Sequence, residues 1–281
     1  ITVDAGNTLT AMLVDAQDAG GDDAHNVVLT TAAGDIDVTL VTADNQATLN
    51  AAGAITDANA DGTTNITALV LDATAGTGID TDTAVDSITA AATAGNIDIN
   101  EADAVTLTSV VATDGGIVID AGNTITVTTV DAQDAGADEA HDVVLTAAAG
   151  DISIGNNGIA ADNDAMLSAV AGSILASGGT VHVSAGNDID LAALTNIGTI
   201  TNFATAAGTA LGISFGNALT NATITQAGGA INLDVGGSLT GGTISAGAIV
   251  VDADGAAQAI IQSADDLNFT TAATAFDAGA G

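Results

Sequence analysis

The sequence predicts an all-β chain wound as a right-handed parallel β-helix of about 20 residues per coil, and three observations carry that expectation. Apolar residues alternate with polar ones in short runs, the signal of a strand with one buried face. A phrase built from a small residue, Gly, a polar or small residue and then an apolar residue opens many of these runs, at spacings near twenty residues. A longer unit is also duplicated, because Ile1 to Val38 returns without a gap at Ile117 to Ile154, about 116 positions on, with about two thirds of its residues unchanged. Repetition at two scales points to an array that grows by adding coils, with right-handed winding the default for parallel crossovers.

Taken in order, the first long unit contains Asp4-Ala5-Gly6-Asn7-Thr8, Val14-Asp15-Ala16-Gln17-Asp18-Ala19-Gly20 and His25. They return as Asp120-Ala121-Gly122-Asn123-Thr124, Val130-Asp131-Ala132-Gln133-Asp134-Ala135-Gly136 and His141. The short phrase is clearest at Ala33-Gly34-Asp35-Ile36-Asp37-Val38 and recurs at Ala52-Gly53-Ala54-Ile55, Ala94-Gly95-Asn96-Ile97, Ala149-Gly150-Asp151-Ile152 and Ala171-Gly172-Ser173-Ile174. Each occurrence predicts a corner followed by a strand of three to five residues, with Gly, Asn and Asp supplying the turn. Helix is the poorer reading, since β-branched residues abound and Gly and Thr cut every Ala run; Ala90-Ala91-Ala92 is therefore expected to form a corner. Roughly fourteen coils at about 4.8 Å each would make a rod about 65 Å long.

One continuous body over residues 1–281 is expected, with Ala-Gly-Asp-Ile coils over 1–190 and variant coils over 191–281. In the last third all four Phe residues appear, together with the phrases Leu194-Thr195-Asn196-Ile197-Gly198-Thr199-Ile200, Leu219-Thr220-Asn221-Ala222-Thr223-Ile224 and Leu239-Thr240-Gly241-Gly242-Thr243-Ile244, which suggest the same solenoid with a wider core.

Composition narrows function. The chain carries 35 acidic residues and no Lys or Arg, so counter-charge must come from solution. A basic patch for nucleic acid or an anionic membrane is excluded. There is no Cys for disulfides or thiolate metal sites, and no apolar run long enough to span a membrane. Catalysis is not expected, because the polysaccharide lyases and hydrolases built on β-helices need basic or aromatic residues in their grooves, and Lys, Arg, Tyr and Trp are all absent.

Three acidic stretches are candidate metal ligands. Asp57-Ala58-Asn59-Ala60-Asp61-Gly62 matches the first half of a calcium loop, where oxygen ligands alternate before a turning Gly, although Ala68 stands where a bidentate Glu would close it. Asp15, Asp18, Asp22 and Asp23 form a second cluster, copied as Asp131, Asp134, Asp138 and Glu139. Ca²⁺ is the cofactor these oxygen-rich loops would take; the alternative is a solvated polar turn. His25, His141 and His182 read as surface residues, and Asn65-Ile66-Thr67, Asn221-Ala222-Thr223 and Asn268-Phe269-Thr270 fit the N-glycan acceptor triplet.

The Ala-Gly-Asp/Asn-Ile-x-Ile/Val phrase, in its Thr/Ala/Asp/Gly background, resembles the repeat region of filamentous-haemagglutinin-type exoproteins and related giant bacterial surface adhesins. That resemblance implies a right-handed β-helical shaft, secreted or displayed at the cell surface, with a glycan or a neighbouring cell as target. The total lack of Lys and Arg departs from the pattern. The chain begins and stops within similar phrases, which leads to the further expectation of end-to-end self-association into a fibre or longer array. The leading function is thus structural, the alternative is a divalent-cation- or glycan-binding extracellular module, and a polysaccharide-active enzyme comes third.

Overall fold

A computed structural model describes residues 1–18, 25–59, 62–133, 141–155, 158–176, 183–185 and 189–193, and beyond these the strand backbones within 203–277. Among the described residues there is no helix, and every strand pairing is parallel, as a β-solenoid requires. The first two coils repeat one pattern of a long strand and two short ones, and the third begins in the same way. The chain runs through β1 (Thr2–Ala5), β2 (Leu9–Ala11) and β3 (Val14–Ala16), then β4 (Val27–Thr31), β5 (Ile36–Val38) and β6 (Val41–Ala43), then β7 (Gln46–Ala51) and β8 (Ile55–Asp57). Each strand pairs with its counterpart one coil on, giving stacks β1–β4–β7, β2–β5–β8 and β3–β6.

The short phrase works because its Ile is the first inward residue after a corner. Ile36 stacks on Ile55, Ile55 on Ile79, Ile79 on Ile97 and Ile97 on Ile117, and all five are buried. Identical branched side chains at successive levels fill a narrow core without any wide residue. Gly95, at φ 115°, turns the corner before Ile97 in a conformation that a residue with a Cβ rarely adopts.

Corners without glycine depart from the expected strand length. β9 (Ile66–Ala75) and β10 (Ile79–Ala92) are ten and fourteen residues long, because each bends through a corner while staying paired. At the bend in β9 the Asn45 carbonyl accepts both Leu69 N–H (2.9 Å) and Val70 N–H (3.0 Å), which holds the turn with one acceptor. Ala90-Ala91-Ala92, expected as a corner, instead ends β10, with Ala90 and Ala92 buried. Small side chains fit there because the strands above contribute Ala73 and Ala75 to the same interior.

A seam crosses the solenoid at this level. Strand β12 (Val105–Ala112) pairs with β10, but Thr108 is skipped: Ile88 faces Leu107 while Thr89 faces Ser109. That bulge starts a new corner, and beyond it β12 pairs with two separate strands, β14 (Ile125–Val127) and β15 (Val130–Ala132). Meanwhile the stack led by β2 passes through β10 and β11 (Ile97–Glu101) into β13 (Ile117–Ala121), the duplicate of β1. So the long unit and its copy do not share a stack. The β3–β6 stack runs into β9 at Ile66 and on to Thr83 in β10, where Glu101 closes it. The Glu101 carboxylate accepts the Thr83 hydroxyl (2.7 Å) and the N–H groups of Val85 (3.1 Å) and Asp103 (3.1 Å).

After the seam the pattern resumes in β16 (Val143–Ala147), β17 (Ile152–Ile154), β18 (Ile159–Ala161), β19 (Ala165–Ala169), β20 (Ile174–Ala176), β21 (Val183–Ala185) and β22 (Ile189–Ala193). Pairing then crosses residue 191 without a break, from β22 to β24 (Ala210–Phe215), β26 (Ala230–Val235), β28 (Ala248–Asp252) and β31 (Ala273–Asp277), with β23 (Phe203–Thr205), β25 (Leu219–Thr225), β27 (Leu239–Ser245), β29 (Ile260–Ile261) and β30 (Asn268–Thr270) between them in the chain. The stack from β2 to β31 is thirteen strands deep among the described residues. Leu219-Thr220 and Leu239-Thr240 are register partners, as their shared phrase suggests, whereas Leu194 to Ile200 lies outside the described residues.

Candidate functional site: the acidic corners

The duplicated acidic stretch forms the connection between the end of β3 and the start of β4. Asp15 accepts Gln17 N–H (3.0 Å) across a tight local turn and the Thr42 hydroxyl (3.1 Å) from the next coil. Asp18 and His25 then converge on a residue that sequence inspection passes over, Asp44 at the corner between β6 and β7. Asp44 Oδ2 lies 2.9 Å from His25 Nδ1 and accepts Asp18 N–H at 3.0 Å, while Asp18 Oδ2 is 4.0 Å from the same imidazole nitrogen. A carboxylate only accepts, so the His25 ring proton sits on Nδ1. The hydrogen bond from His25 holds the Asp44 carboxyl below the usual carboxylate range, against a partial opposing effect of burial. Beside this corner Asp15, Asp18, His25, Asn26 and Ile1 border a groove of about 560 Å³. Asp22 and Asp23 lie outside the described residues.

In the copy, Asp131 repeats the local turn with Gln133 N–H at 3.0 Å, but its register partner is Ala160, so the hydroxyl contact is gone. His141 is mostly buried, with its side chain 12% exposed, and directs Nε2 to Asp114 Oδ1 at 3.5 Å. Its Nδ1 meets no partner, nor does Asp162 Oδ2, and both atoms are buried. Asp134, Asp138 and Glu139 fall outside the described residues. Asp162 is the counterpart of Asp44: Val41-Thr42-Ala43-Asp44-Asn45 matches Ile159-Ala160-Ala161-Asp162-Asn163 after a shift of two residues. That insertion ends the ungapped repeat at Ile154 and conceals the match.

Of the calcium-like loop, Asp57 and Asn59 are described and Asp61 is not. Asp57 Oδ1 accepts Asn59 N–H (2.7 Å) and the Asn65 side-chain amide (3.0 Å). Asn65 is fully buried and also accepts Asp82 N–H at 3.0 Å, so this triplet cannot carry a glycan in the folded chain. The neighbouring outer face carries an acidic strip. Asp80 and Asp98 are register partners. Burial, followed by the charges of Asp57 and Asp82, pushes the Asp80 carboxyl up. Burial, followed by the charges of Asp80, Asp120 and Asp82, does the same for Asp98. The structure thus gathers Asp18, His25 and Asp44 at one corner, with Asp15 on the adjoining groove, and sets Asp57 and Asp82 each near Asp80, as two separate groups.

Compared with known protein families, with curated proteins and with solved structures, the chain matches none.

Proposed function

We propose that this chain is a structural repeat segment, the shaft of a surface adhesin or a protomer of a surface fibre, placed outside the cell. The observation that carries the reading is the uninterrupted parallel stack from β2 to β31, which presents repeated side faces along one direction. A quasi-one-dimensional body of this kind spans distance at low cost in sequence, and its stability accumulates from nearest-neighbour contacts. A chain with 35 acidic residues and no Lys or Arg favours a separated and hydrated rod. Addition of a further copy to a strand edge belongs to the same reading, because a parallel edge is a template for another strand.

Two measurements test it. Small-angle scattering should give a rod, about 58 Å long for twelve spacings of about 4.8 Å, with lengths in multiples if copies add end to end. Antibody against the chain should label intact cells of the source organism. A compact sphere in scattering, or labelling only after permeabilisation, would sink the shaft reading. A divalent-cation-binding module is the second reading, favoured by the convergence of Asp18, His25 and Asp44.

A further inference from the structure

We propose that Asp18, His25 and Asp44 form a site for a divalent transition metal ion of the Zn²⁺ class, which fastens the β3–β4 connection to the corner of the following coil. The argument begins with ligand chemistry. One imidazole nitrogen and one oxygen from each of two carboxylates lie within 4.8 Å of one another. Calcium prefers six to eight oxygens, and an imidazole nitrogen at the centre of the group does not suit it. Zn²⁺ takes neutral imidazole nitrogen and carboxylate oxygen at about 2.0–2.2 Å, so the ion replaces the proton on His25 Nδ1, which moves to Nε2, and two ligands in a tetrahedral set stand roughly 3.4 Å apart. The separations of 2.9 Å for His25 Nδ1 to Asp44 Oδ2 and 4.0 Å for His25 Nδ1 to Asp18 Oδ2 straddle that value. Small rotations of the Asp18 and His25 side chains about a largely covered Asp44 reach it, and the adjoining groove leaves room for water in the remaining position.

The copy of the unit provides an independent second observation. There the counterparts of the first unit's bonded pair, His141 Nδ1 and Asp162 Oδ2, are both buried and both without a partner. A buried carboxylate oxygen left unbonded is costly, more so than an ordinary buried polar group. The fold therefore retains a His and an Asp at this corner even where they do not bond each other, as expected if the position serves a ligand. Ligand atoms converge only in the first unit among the described residues, so the first equivalent of metal is assigned there.

Metal-free chain should be titrated with Zn²⁺ by calorimetry, followed by heteronuclear NMR of the imidazole nitrogens. One equivalent should bind, with the coordination shift on His25 Nδ1, and the melting temperature should rise with free Zn²⁺. His25→Ala and Asp44→Asn should each weaken that equivalent about tenfold or more, and His141→Ala should leave it unchanged. Excess Ca²⁺ at matched ionic strength should not displace it, and circular dichroism of each variant verifies that the coils remain folded. Equal uptake by the native chain and by folded His25→Ala, a shift on Nε2 in place of Nδ1, or displacement by equimolar Ca²⁺ would each overturn the proposal. None of these readouts depends on whether the chain is a shaft, so this proposal and that reading fail separately.

Discussion

Glu101 is one of only two Glu residues among 35 acids, and it occupies an inward position that neighbouring coils fill with Ala121, Ala147 and Ala169. Its length lets the carboxylate take the Thr83 hydroxyl and the Val85 N–H just where the strand pairing of β10 with β11 ends, at Thr83 and Glu101. Glu101→Ala should therefore cost about 3 kcal/mol, read by chemical denaturation, because a hydroxyl and two backbone N–H groups lose their acceptor inside the seam. Glu101→Gln should cost less, since it keeps one acceptor and removes the buried charge. Burial pushes the Glu101 carboxyl up, against the opposing hydrogen bonds from Thr83, Asp103 and Val85. Asp80 and Asp98 are raised as well. A carboxyl raised on folding contributes stability that is complete below its unfolded value, about 4, and is lost as pH rises through the folded value. Asp44, held low, works the other way, keeping its contribution above the unfolded value and losing it as pH falls through the folded one. Three raised groups against one lowered group predict a higher melting temperature near pH 5 than near pH 8 at fixed ionic strength. Asp98→Asn should raise the neutral-pH value by about 1–2 °C and flatten the profile. A native profile that falls steadily from pH 8 to pH 5 would contradict this assignment.

Corners are the element that repeats, and two glycines separate close approach from mere flexibility. A Cβ on Gly76 would run into the Ala52 carbonyl of the coil before, whereas a Cβ on Gly6 would meet nothing within 4 Å. Gly76→Ala should cost about 2 kcal/mol while Gly6→Ala stays within about 0.5 kcal/mol, and parallel thermal melts of the two variants check the contrast. Equal effects would mean that backbone freedom, not stacking distance, selects these glycines. Gly-x-Ile corners were legible in the sequence because one local phrase specifies both the turn and the first buried residue. The bends inside β9 and β10 were not, because a carbonyl one coil away holds the β9 turn and leaves no local signature. The seam was equally hidden, since it depends on one skipped residue, Thr108, in an otherwise ordinary alternating run. At the site, Asp15, Asp18 and His25 could be picked out as a duplicated acidic stretch, but Asp44 lies 19 residues from His25 and joins it only through the stacking of coils. Asn65 reads as a glycan acceptor in sequence and proves to be a buried corner bridge, because burial is fixed by the coil above it.

Across the whole molecule the absence of Lys and Arg is met by placing a neutral donor against a carboxylate one coil away. Thr56 donates to Asp37 (2.8 Å), Thr42 to Asp15 (3.1 Å), Asn100 to Asp82 (2.9 Å) and Asn163 to Asp142 (2.7 Å). Where that alternation fails, at Asp80 over Asp98, two carboxylates at coil spacing repel by roughly 0.9 kcal/mol even at the dielectric of water. Cations in solution can relieve this in two ways, by general screening or by direct bridging between oxygens. Direct bridging by Ca²⁺ is the outcome proposed here, because Asp57, with its calcium-like spacing to Asn59, faces the same acidic strip as Asp80. Thermal unfolding should be followed in chelator, in millimolar Ca²⁺ and in sodium chloride of matched ionic strength, with the native chain and Asp98→Asn side by side. Calcium should raise the native melting temperature beyond the matched salt, and the excess should shrink in Asp98→Asn, since removing one of the two stacked charges removes the bridge. If sodium chloride reproduces the whole shift in both proteins, the charge of the rod is relieved by screening alone and the calcium sites do not exist.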